Sequence, residues 1–204
     1  MVAASILPVT WKDGELHFLF GKENELEDSA KGFSDFGGGV ESGESIRETA
    51  FREGAEELCG FLGDAASVKR LVHSCGGLFP IVHHHTGKDG KPTTYTMHIF
   101  FMAYDPCMTD YYNRQHKFLW NRMDKHALNR SKLFEKQEIR WFSASSLRRP
   151  SVLKLFRGFY RENVKKLLAS LPEISRFIRS KRHTRAKHQT RHTRLAKART
   201  RRRL

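Results

Sequence analysis

The last 29 residues of this 204-residue chain, Arg176–Leu204, hold thirteen Lys or Arg and no Asp or Glu. With almost no bulky apolar side chain after Ile178, such a polycation cannot bury enough surface to fold alone, and it is expected to be disordered unless bound. Folding is therefore the task of the remainder: one domain over residues 1–172, closed by a helix over 151–171, with a basic tail over 173–204. The formal net charge is +15, and removing the thirteen tail cations leaves +2, so the body is nearly neutral. A polycation points to an anionic partner such as RNA, with Lys181, Arg182, Arg185, Arg201, Arg202 and Arg203 as candidate contacts. A nuclear or nucleolar targeting signal is the other reading of the same residues.

The body is long enough for one domain with a proper core and too short for two full-sized ones. No apolar run approaches the ~20 residues of a membrane span, and the opening MVAASILPVT lacks the charged start of a signal peptide. The expectation is an intracellular protein of the cytoplasm or nucleus with no membrane partner. Cys59, Cys75 and Cys107 are odd in number and form no CxxC pair, which argues against a disulfide framework and a cysteine zinc site.

Residues 2–20 read as two strands, SILPVTW and ELHFLFG, joined by a turn at Lys12-Asp13-Gly14. A polar loop over Glu23–Lys31 leads to the glycine-rich approach Gly32–Gly39. From Ser45 the pattern turns helical to about Leu58, with Ser45 and Glu48 spaced as a capping box and Ile46, Ala50 and Phe51 as an apolar stripe. VKRLVHSC, GLFPIVHHH and TYTMHIFFMAY read as strands, the last two joined by a turn at Gly87–Gly90. Asp110–Phe134 fits either a helix or an insertion, and EIRWF at Glu138–Phe142 reads as a final strand. Ser151–Leu171 has the strongest helical stripe, bounded by Pro150 and Pro172. Strands on both sides of a helix, then a closing helix, predict an α/β sandwich around a mixed sheet.

The chemistry concentrates in Gly37-Gly38-Gly39-Val40-Glu41-Ser42-Gly43-Glu44 and, seven residues on, Arg52-Glu53-Gly54-Ala55-Glu56-Glu57. At ~100° per residue, Glu56 and Glu57 lie about 60° and 40° to either side of Glu53, so three carboxylates share one helix face. Such acids repel unless cations neutralise them. Oxygen ligands of this kind suit Mg²⁺ or Mn²⁺, which bind through carboxylates together with substrate phosphates. Arg52 can pair with Glu44 or Glu48. Gly38, Glu44, Arg52, Glu53, Glu56 and Glu57 fit the pattern G-x5-E-x7-R-E-U-x-E-E-x-G-U, and the chain thereby resembles the Nudix hydrolases. Gly54 and Gly60 stand where that pattern has aliphatic residues, and Cys59 where it has glycine; a close approach beneath Gly54 is the expected use of the first.

The resemblance implies a Nudix-like α/β/α sandwich and a divalent-metal-dependent phosphoanhydride hydrolase acting on a nucleoside diphosphate linked to a group X. Carried over by position, Glu53, Glu56, Glu57 and the Gly38 carbonyl would ligate metal, Arg52 would orient Glu53, and Glu44 would support that arrangement. The water-activating base varies within the family; Glu135 and Glu138 are candidates, with Asp124 behind them. Phe36, Trp120 and Trp141 are candidate stacking groups for the substrate, alongside Phe33 and Tyr104. His83-His84-His85 lacks a fourth ligand at metal-site spacing and reads as a strand end, whereas Tyr111–Arg122 mixes stacking and cationic groups as single-strand RNA surfaces do, and reads equally as a charged helix packed by its aromatics. Three functions follow: RNA decapping, the leading expectation because thirteen cations gain most from a long polyanion; hydrolysis of free nucleotides, dinucleoside polyphosphates or diphosphoinositol phosphates; and non-enzymatic RNA binding, which the intact glutamates oppose.

Overall fold

Asp13 and Gly14 both take positive φ, 50° and 81°, and this two-residue turn sets the register of the first hairpin with Lys12 opposite Glu15. The computed structural model describes residues 1–26, 31–86, 90–131 and 135–181. Its elements are β1 (Val2–Lys12), β2 (Glu15–Glu23), β3 (Phe33–Ser34), β4 (Phe36–Gly39), α1 (Ile46–Glu57), α2 (Ala65–Ser74), β5 (Phe79–Thr86), β6 (Pro92–Phe101), α3 (Pro106–Trp120), α4 (Lys125–Ser131), β7 (Lys136–Ser143), α5 (Ala144–Leu147), α6 (Pro150–Leu153) and α7 (Tyr160–Ala169). The sheet runs β3-β2-β1-β6-β5, with β4 on β1 and β7 on β2. It is mixed: β1 and β6 pair in parallel and the other pairs are antiparallel. Among the described residues no helix is long and apolar enough to cross a membrane.

One core packs Phe51, Ala55 and Leu58 of the α1 region and Val68 and Val72 of α2 against Ile6, Leu19, Phe36, Phe100 and Ile139 of the sheet. Phe20, Phe33, Phe142, Phe156 and Tyr160 form an aromatic cluster, with Phe20 and Phe156 edge-to-face at 4.9 Å. The α/β arrangement agrees with the expectation from sequence.

Three local readings change, and one left open is decided. VKRLVHSC is the helix α2: Asp64 caps it by accepting from the Ser67 N–H at 2.7 Å, and Val68 and Val72 are buried one turn apart, so helical periodicity overrides their β-branching. The glycine approach is the strand pair β3 and β4. The closing helix is broken between α6 and α7, because Phe33 bonds to the Leu155 carbonyl at 2.9 Å and accepts from the Arg157 N–H at 3.1 Å; Leu155 and Phe159 of the expected apolar stripe are exposed. Asp110–Phe134 supplies α3 and α4, although 132–134 lie outside the described residues, as do most of the polar loop (27–30) and most of the Gly87–Gly90 turn (87–89).

The chain divides into the units Met1–Ala169 and Ser170–Leu204, three residues before the boundary expected at Pro172. Residues 171–181 of the second unit are helical, with Pro172 in the first turn, where its missing N–H costs nothing, and a Glu173–Arg176 pair at 3.2 Å. Arg182, Arg185, Arg201, Arg202 and Arg203 lie outside the described residues, and Lys181, in the helical stretch, is the last described residue.

Candidate active site

The helix that carries the carboxylates starts on a complete capping box, Ser45 accepting from the Glu48 N–H and Glu48 accepting from that of Ser45. Gly54 explains how closely it lies on the sheet: a Cβ there would stand 2.4 Å from Ile6 Cγ2. The helix stops on Cys59 and Gly60, both left-handed at φ 50° and 73°, with the Gly60 N–H bonded to the Ala55 carbonyl at 2.9 Å. Cys59 thus adopts the conformation that suits the glycine of the pattern.

Arg52 sits at the centre of the acids. Its Nε and Nη2 donate to the two oxygens of Glu44 at 2.7 and 3.0 Å, its Nη1 to Glu53 at 2.8 Å and Glu56 at 3.1 Å, and its Nη2 also to the Gly39 carbonyl at 3.2 Å. These bonds hold the Glu44 carboxyl down at about 2 and raise Arg52 further. Glu48 belongs to the cap, so Glu44 is the partner of Arg52. Glu53 is pushed up by burial and, against the pull of Arg52, by the charges of Glu56 and Glu135. Glu135, just before β7, is the other acid whose charge bears on Glu53. Gly38 backs onto the same group: a Cβ there would meet Glu53 Oε1 at 2.4 Å.

Glu57 is placed differently. It accepts from the Gly37 N–H at 2.8 Å and pairs with the Lys136 ammonium at 3.0 Å, both side chains almost fully buried. Lys136 also contacts Glu23 at 2.5 Å and Ser34 at 3.1 Å, and Arg157 reaches Glu23 at 2.7 Å. Burial pushes Glu57 up to about 8 against the pull of Lys136. Nearby, Ser5 and Tyr95 both donate to the buried Asp35.

No family model matches the chain, and no curated protein matches it. Similar solved structures include an Ap4A hydrolase of C. elegans in a binary complex, at 16% identity, TM-score 0.49, covering 88% of this chain and 98% of that one. The Nudix hydrolase RenU of M. smegmatis has 16% identity and TM-score 0.49, covering 84% and 88%. A mutT/nudix family protein of Listeria innocua has 18% identity and TM-score 0.47, covering 84% and 94%.

Glu53 and Glu56 suit a hard divalent ion: they are oxygen donors on one face, with mutual repulsion that a cation relieves, and Mg²⁺ needs no more than one or two carboxylates when water and phosphate complete its shell. Glu57, as placed, has Lys136 and Gly37 on its two oxygens. Among the described residues no three acidic, histidine or cysteine side chains gather closely enough to enclose an ion. Glu138 does not join the carboxylates; it pairs with Arg140 through the Arg140 Nε at 2.9 Å.

Phe36, expected against substrate, is wholly buried in the core, because strand alternation turns it under α1. Trp120 is occupied by neighbours: its Nε1 donates to Glu25 at 3.1 Å, His116 stacks on it, and Lys125 lies over its ring. Trp141 lies beside Tyr104 along β7, with ring centroids 6.0 Å apart. In the histidine run His83 is buried and stacked on His85, and burial lowers it to about 4. Lys136, Glu23 and Arg157 escaped the sequence reading, since three distant segments supply them and only the fold makes them neighbours.

Proposed function

We propose that this chain is a divalent-metal-dependent hydrolase of the Nudix type, cleaving a phosphoanhydride bond in the cap at the 5′ end of RNA. The observation that carries the hydrolase reading is the Arg52 fork, which gathers Glu44, Glu53 and Glu56 around one guanidinium. Glu53 and Glu56 would hold Mg²⁺ or Mn²⁺. When bound, such an ion supplies neutralisation of phosphate charge and makes water more acidic. Arg52 fixes the rotamers of Glu53 and Glu56, and Glu44 fixes Arg52. Glu135, whose charge acts on Glu53, would accept the proton of the attacking water. Glu57, anchored by Lys136, holds the Gly37 N–H and with it the strand that backs Glu53.

The RNA reading rests on the thirteen tail cations, which a small nucleotide cannot engage. The test compares hydrolysis of cap-labelled RNA with hydrolysis of free dinucleoside polyphosphates and nucleoside triphosphates by the full chain, with Mg²⁺ or Mn²⁺. Preferential release of the cap product supports decapping. Preference for the free nucleotides replaces it with a nucleotide pyrophosphatase, and no hydrolysis of any substrate removes the enzyme reading.

A further inference from the structure

A cleft of about 550 Å³ opens along β7, lined by Lys12, Tyr104, Asn113, Glu138, Trp141 and Arg149 among others, and by none of Glu53, Glu56, Glu57 or Glu135. At Ile139 the edge of β7 is closed by a side chain: the Ile139 N–H donates to Asn113 Oδ1 at 2.8 Å, and Asn113 Nδ2 donates to the Ile139 carbonyl at 3.1 Å. Both main-chain groups of Ile139 therefore point away from β2. Pairing is regular from Ile139 to Phe142, and main-chain direction repeats every second residue. Trp141 thus presents its own N–H and C=O outward along the same edge, one step beyond the amide that satisfies Ile139.

The surroundings select the kind of group that would use this edge. The Tyr104 and Trp141 rings stand 57° apart in plane, and the Lys12 ammonium lies 4.8 Å from the Tyr104 centroid. The Trp141 Nε1 is buried without a hydrogen-bond partner among the described residues. The acid Glu138 is taken up by Arg140, and Lys12 bonds to Tyr104 and pairs with the exposed Asp13 at 3.4 Å. Arg149 is exposed at the start of α6. Aromatic surface, an adjacent donor and acceptor, and surplus positive charge together suit a nucleobase attached to a phosphate.

We propose that this cleft is a nucleotide-binding site separate from the carboxylate face, with the base against Tyr104 and Trp141, its polar edge on the Trp141 main chain, and the phosphate beside Lys12 and Arg149. The proposal does not depend on the hydrolase reading, and its test measures binding alone. In a Trp11→Phe/Trp120→Phe background Trp141 is the sole indole, and 5′-AMP is titrated into the full chain in EDTA while its emission is followed. Saturable quenching is expected, with adenosine and inorganic phosphate each binding more weakly than 5′-AMP. Affinity should fall about tenfold in Tyr104→Ala and in Arg149→Glu, remain in Tyr104→Phe, and stay unchanged in Glu53→Gln. Arg149 is exposed, so its variant keeps the test valid if Tyr104→Ala does not fold. No saturable change, unaltered affinity in Arg149→Glu, or an equal loss in Glu53→Gln would each overturn the site.

Discussion

Five donors in a rigid fork let one guanidinium grip Glu44, Glu53 and Glu56 together, which a lysine cannot do. Arg52→Lys is expected to lower kcat at least about tenfold with the circular dichroism spectrum unchanged, since charge-assisted bonds of this type contribute about 1.5–3 kcal/mol each; steady-state kinetics on the preferred substrate decides it. Glu44 ties the same grip to pH. Its carboxyl falls from an ordinary 4.5 to about 2 in the fold, so the folded chain holds fewer protons there than the unfolded one. The stabilisation is complete above pH 4.5 and lost as pH drops toward 2. Melting temperature followed through that window should fall less in Glu44→Gln than in the parent; equal falls would assign the acid loss to other carboxyls. Lys136→Met leaves Glu57 buried without its cation and Glu23 with Arg157 alone, and should destabilise by about 3–5 kcal/mol in urea, with part recovered in Glu57→Gln/Lys136→Met. Arg52, Glu44 and Glu53 were legible because their spacing is local to one loop and helix. Lys136 was not, because nothing about a lysine beginning a strand says that it is buried.

Neighbouring glycines of β4 separate stability from chemistry. A methyl on Gly37 would meet Ser5 Cβ at 2.3 Å and the Ala4 carbonyl at 2.5 Å, whereas the nearest atoms to one on Gly38 belong to the carboxyl end of Glu53. Gly37→Ala should therefore lower the melting temperature by forcing β4 off β1, at a cost of about 1–3 kcal/mol. Gly38→Ala should keep the melt and lose turnover; a matching loss of stability in both would show that β4 does not distinguish them. Helix α1 could be read from sequence because its cap, stripe and stop are all encoded within it. In α2 the β-branched Val68 and Val72 read as strand, whereas the Asp64 cap and the burial of both one turn apart make it a helix. The closing helix kept its apolar count but not its continuity, since the backbone of Phe33, over a hundred residues away, claims the groups at Leu155 and Arg157. Local pattern contains no trace of that claim.

The tail acts on the molecule as a whole through charge. Full-length protein should lose RNA affinity steeply as salt rises, and a form ending at Lys181 should show a distinctly shallower slope, because fewer counterions leave the RNA when ten of the thirteen tail cations are gone. Equal slopes in a filter-binding series would place RNA contacts on the body instead. The mixed sheet has a different consequence. β1 pairs in parallel with β6, Val2 with Thr94 and Val9 with Phe101, ninety-two positions further along. At roughly 5–20 residues per second of translation, the apolar first strand waits roughly 5–18 s on the ribosome for the neighbour that covers its second edge. Throughout that interval the hairpin of β1 and β2 is a nascent chain with an open flank, which makes the first half of this protein a natural client for chaperones that meet polypeptides as they emerge.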